Sequence, residues 1–114
     1  MNNGYTALIE RGQINVYDKG AKFVQKIGGN YNGLAAAHGG DFVTAQKTQD
    51  EKTHIAVIGQ INAGGNYVIK EKVTISVIAD KMKSKVRFLA VRGTKVYASD
   101  YGLNSIYVVD MFTK

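Results

Sequence analysis

A period-two rhythm broken by glycine constrains this chain more than any other feature. Gln13-Ile14-Asn15-Val16-Tyr17-Asp18 alternates polar and apolar residues, with β-branched side chains at every second position, as a half-buried strand requires. Lys22–Ile27, Asp41–Ala45, Thr53–Ile58, Val73–Ile78, Val86–Val91, Lys95–Ser99 and Ser105–Phe112 repeat the style. Between them lie Asp18-Lys19-Gly20, Gly39-Gly40, Ala63-Gly64-Gly65-Asn66, Arg92-Gly93-Thr94 and Tyr101-Gly102-Leu103-Asn104. These residues tolerate the positive φ of tight hairpin turns. No segment holds a helical period. Leu34-Ala35-Ala36-Ala37 favours helix by propensity, but Gly33 and Gly39-Gly40 leave it too short to stand alone. Val77–Lys85 offers one further helical turn at most. The chain is therefore predicted to be all-β. Strands such as Val86–Val91 are apolar on both faces, which predicts sheets stacked on both sides.

The 114 residues fit one domain, 1–114. The chain has no Cys, which removes a disulfide framework, thiolate catalysis and Cys-ligated zinc. No apolar run reaches the roughly 20 residues of a membrane helix, and the N-terminus carries no secretory pattern. A cytoplasmic protein with no membrane partner is expected.

The net charge of +6 is concentrated. Between Lys70 and Lys95 stand eight Lys and Arg against Glu71 and Asp80, which accounts for all of it. A segregated basic patch attracts phosphates, nucleic acid or other anions. Lysines on a solvated face or a strand edge give the same pattern without any ligand.

Ile14-Asn15-Val16-Tyr17-Asp18 and Ile106-Tyr107-Val108-Val109-Asp110 share the pattern Ile-x-Val-x-Asp, with a weaker copy at Ile55-Ala56-Val57-Ile58-Gly59. A repeat of 40–50 residues built from short strands has the period of a propeller blade. The stretch Val96-Tyr97-Ala98-Ser99-Asp100-Tyr101-Gly102-Leu103-Asn104-Ser105-Ile106-Tyr107-Val108-Val109-Asp110 resembles half of an NHL-type or YncE-like β-propeller blade. In its turn, Asp100 is suited to capping, and Gly102 and Asn104 tolerate left-handed backbone. With blade strands lettered A to D from the axis outward, the segment 5–27 supplies B, C and D. The segment 33–78 supplies A to D, and 86–112 supplies A, B and C. The resemblance implies antiparallel, up-and-down blades in an incomplete ring. A ring needs about four or more blades, so closure would require other copies of the chain. A small β-barrel or sandwich is the alternative architecture.

The site residues follow from the loops. His38 and His54 are the only histidines, and neither falls in a metal-ligand spacing. No Gly-x-Ser-x-Gly elbow is present, and Gly28–Gly33 precedes no helix that would make it a phosphate loop. No catalytic residue, metal or cofactor is predicted. Tyr31 lies between two Asn within a Gly-rich loop, and Tyr101 stands in Asp100-Tyr101-Gly102. An aromatic ring in such a loop can stack on a sugar or base while neighbours supply hydrogen bonds; folding back onto the sheet is the plainer fate. The loop Asn62–Tyr67 has a similar composition. The expectation is a non-enzymatic homo-oligomer binding a small polar or anionic ligand, such as a nucleotide, through Tyr31, Asn32, Tyr101, Asn104, Lys81, Lys83 and Lys85. Docking of nucleic acid or protein on the basic face, or a purely structural scaffold, are the alternatives.

Overall fold

The computed structural model describes residues 4–50, 52–78 and 84–111. It is all-β, with ten strands and one 3-10 turn at His38–Gly40. The strands are β1 (Thr6–Glu10), β2 (Gln13–Tyr17), β3 (Phe23–Ile27), β4 (Tyr31–Ala36), β5 (Phe42–Lys47), β6 (Thr53–Ile61), β7 (Tyr67–Val77), β8 (Val86–Arg92), β9 (Lys95–Asp100) and β10 (Ser105–Asp110). They form three antiparallel meanders, β1-β2-β3, β4-β5-β6-β7 and β8-β9-β10. None closes into a barrel. No helix among the described residues is long and apolar enough to cross a membrane.

The sheets stack face to face. The central sheet presents Tyr31, Phe42, Val57 and Ile61 to the first sheet, where they meet Ala7, Ile14 and Val16. Its other face presents Val43, Ala56 and Ile58 to Val96 and Met111 of the third sheet. Ala45, Val86 and Ala98 extend that second seam. Burial on both faces explains why β5 and β6 read as nearly continuous apolar runs. Removing a fully buried ring such as Phe42 would cost about 3–5 kcal/mol from lost transfer energy and the cavity left behind.

The two-faced burial expected of β8 is not met within the chain. Leu89 and Val91 pack against the central sheet, while Phe88 is 64% exposed. The Ile-x-Val segments also differ in setting. Ile14, Val16 and Val57 are buried, whereas Ile106 and Val108 face outward.

Two irregularities matter for the site. In β4 the pairing with β5 shifts between Asn32 and Leu34, leaving Gly33 as a bulge. In β8 the pairing with β9 shifts between Val86 and Phe88, leaving Arg87 as a bulge. Bulges bend a strand and re-aim the neighbouring side chains. The two bulges lie against each other. Gly33 has φ +72°, and a Cβ there would collide with the Arg87 carbonyl oxygen. Only glycine satisfies both the conformation and the close approach.

Candidate functional site

The meeting bulges open a polar cleft between the central and third sheets. Asn32, Lys47, Lys85, Val86 and Arg87 line it, around a volume of about 120 Å³. At roughly 30 Å³ per water molecule in the liquid, that is the space of a few waters, and it is of the size of a tetrahedral oxyanion. Three of the five lining residues are cationic, Asn32 adds a carboxamide, and among the described residues no carboxylate lines the cleft. Asn32 and Lys47 are half-buried, while Lys85 and Arg87 are exposed. Beside the cleft, the Arg87 guanidinium sits 5.3 Å from the centroid of the Tyr101 ring, within cation–π range.

A buried hydrogen-bond network holds the backbone of Lys85, one of the cleft residues. Ser84 Oγ donates to Asp100 Oδ2 at 2.5 Å. Tyr107 OH donates to the same oxygen at 3.0 Å. Asp100 Oδ1 accepts from Lys85 N at 2.8 Å and Leu103 N at 3.2 Å. The carboxylate thus has four donors for its roughly four lone-pair sites. Burial alone would raise the Asp100 pKa; the bonds from Ser84, Lys85, Tyr107 and Leu103 outweigh it and hold the carboxyl below its usual value. On the other side, His54 Nε2 lies 2.8 Å from Ser84 Oγ. The serine proton is committed to Asp100, so its oxygen accepts and His54 carries the Nε2 proton. Desolvation lowers the His54 pKa, the Asp100 charge opposes that, and Lys47 reinforces it. His54, Ser84 and Asp100 are all buried.

The network joins β6 to β9 and β10 through Ser84. It also pins Lys85, whose carbonyl accepts from Tyr101 N at 3.2 Å. Backbone held at both ends places Lys85 at the cleft mouth. The order of the chain, with Ser84 between His54 and Asp100, does not make a nucleophile. No base takes the serine proton, and the hydroxyl is sealed from solvent. Among the described residues, no three of His, Asp and Glu converge as a metal site.

No known protein family, curated protein or solved structure matches the chain.

The sequence-predicted site residues divide. Asn32 and Lys85 come together in the cleft, with Tyr101 beside it. Asn104 does not line it; with φ 50° it fills a left-handed position in the β9–β10 turn. Tyr31 corrects the expectation of an exposed loop ring. It begins β4, its N–H donates to Gly12 O at 2.8 Å, and its ring is buried edge-on to Tyr67 at 6.2 Å. Lys81 and Lys83 lie outside the described residues. In the Asn62–Tyr67 loop, Asn62 Oδ1 accepts from Gly64 N and Asn66 N at 3.0 Å each, and Gly65 O accepts from Gln25 Nε2 of the first sheet. Sequence reasoning missed Lys47, and it counted Arg87 in the basic run without choosing it. Their convergence depends on sheet stacking, for which a single sequence carries no local signal.

Proposed function

We propose that this chain is a non-enzymatic binding protein whose cleft takes a small anionic ligand, with a phosphate group as the recognised moiety. One observation carries this reading. Lys47, Lys85 and Arg87 line one cleft with Asn32, and among the described residues no carboxylate lines it. Convergent cations focus potential and raise the local concentration of anions, and charge-assisted hydrogen bonds to an oxyanion are about twice as strong as neutral ones. The exposed Tyr101 ring next to Arg87 offers a stacking platform for a base attached to that phosphate. The face-to-face stack of three meanders supports the resemblance to successive propeller blades, and we read the chain as an arc of such a ring.

Titration calorimetry with inorganic phosphate and with a nucleoside triphosphate tests the binding. Saturable binding is expected, weakened roughly tenfold or more by Lys85→Ala or Arg87→Ala, since a charged hydrogen bond contributes about 1.5–3 kcal/mol. Absence of heat and of competition from either anion at millimolar concentration would overturn it. The basic run from Lys70 to Lys95 favours nucleic-acid docking as the second reading. That reading predicts tight binding to oligonucleotides with a steep salt slope and little affinity for the free anions.

A further inference from the structure

We propose that two copies of this chain close a six-sheet ring, with the outward face of the third sheet of each packed head-to-tail on the outward face of the other's first sheet. This rests on the propeller-like reading above. The observation is that both terminal sheets use only half their apolar surface. Alternation in β8 and β10 sends Leu89, Tyr107 and Val109 to the interior seams. It sends Phe88, Ile106 and Val108 outward, at 64%, 70% and 53% exposure. Register places Phe88 and Ile106 opposite Ser99, and Val108 opposite Tyr97, so these form one continuous face. The first sheet does the same. Ala7 packs inward, while Leu8 and Phe23 stand 53% and 55% exposed. Phe23 meets Tyr17 edge-on at 5.9 Å, and Leu8 and Tyr17 line a groove of about 350 Å³. A groove on one face and projecting side chains on the other are complementary rather than self-matching. That favours a head-to-tail contact over a like-with-like one.

The chain already supplies the template, because its two interior seams are sheet-on-sheet contacts of this kind. Stoichiometry follows from closure. Propellers close with about four to eight blades. The described residues of one chain form three sheets, so two copies fall inside that range, whereas one copy falls below it and three fall above. Area points the same way. A three-stranded face measures about 14 by 17 Å at normal strand spacing and rise, or about 240 Å² in plan. A closed pair covers four such faces, about 1,000 Å² in plan and more in accessible surface, which reaches the scale of a specific interface. An open pair with a single contact covers about half of that and falls short.

Sedimentation of the full chain at about 100 μM tests the closure. The expected result is one species near twice the chain's 12.4 kDa. Leu8→Lys and Ile106→Asp alone should each give monomers, because each variant spoils both contacts of its own pair. Mixing the two variants should restore dimers, since one contact is then native and the other pairs Lys with Asp. If either charged variant loses its strand circular dichroism, Leu8→Thr and Ile106→Thr replace them, and a weakened dimer is expected. A monomeric wild-type chain would overturn both this proposal and the ring reading. A trimer or larger species would overturn the two-copy closure while leaving the ring reading standing. Dimers that survive Leu8→Lys but not Ile106→Asp would overturn the head-to-tail pairing.

Discussion

Gly33 and Arg87 are each the unpaired residue of a β-bulge, and their backbones touch across the seam between two sheets. That contact places Asn32 beside Lys85 and Arg87. Gly33→Ala should therefore disturb the cleft before it disturbs the fold. The added Cβ meets the Arg87 carbonyl, and φ +72° is strained for alanine. A loss of about 1–3 kcal/mol is expected in urea unfolding. Anion affinity should fall more than it does in an equally destabilised core variant such as Ile58→Val. Equal affinities in the two would show that the bulge contact does not position the cleft.

The second prediction concerns the serine that links His54 to Asp100. Ser84→Ala leaves His54 Nε2 without its acceptor and removes one of four donors from the buried carboxylate. An unsatisfied buried polar group costs about 1–3 kcal/mol. Chemical denaturation should show a lower midpoint with an unchanged slope. Because Lys85 is held by Asp100 through its own N–H, Asp100→Ala should both destabilise the chain and weaken anion binding.

Acid should act on the same network in two steps. His54 has a folded pKa below its ordinary 6.5, so the unfolded chain takes up the proton first. Its contribution is complete above about pH 6.5 and is lost as the pH falls below that value. Asp100 has a folded pKa below its ordinary 3.8. Its contribution is present above 3.8 and is lost as the pH falls through the lower folded value. Thermal melts between pH 8 and 3 should trace a decline starting near 6.5 and a further one below about 4. His54→Gln should flatten the first step and leave the second. A His54→Gln profile identical to wild type would show that His54 does not set the first step.

Much of the fold is legible in the sequence because strand period and turn chemistry are local. Val96, Ala98 and Asp100 alternate inward as the pattern of β9 predicts, and Asp100 caps its turn through Leu103 N. Tyr31 was illegible for the opposite reason. Its Gly and Asn neighbours spell a loop, yet Gly33 serves as a bulge inside a strand, and the bond from Tyr31 N to Gly12 draws the ring into the core. The cleft was half legible. Asn32, Lys85 and Tyr101 stand out by composition, but Lys47 reaches them only through the β4–β5 pairing and the seam with β8. The buried role of Ser84 was hidden by its flanking lysines, which read as a solvated charge run.

Amide chemical shifts under titration with inorganic phosphate decide whether this one cleft binds an anion. Saturable shifts are expected, confined to Asn32, Lys47, Lys85, Arg87 and the adjoining Tyr101 and abolished in the Lys85→Ala, Arg87→Ala double variant. Shifts spread evenly over remote surface lysines such as Lys19 and Lys22, rising without saturation, would contradict it.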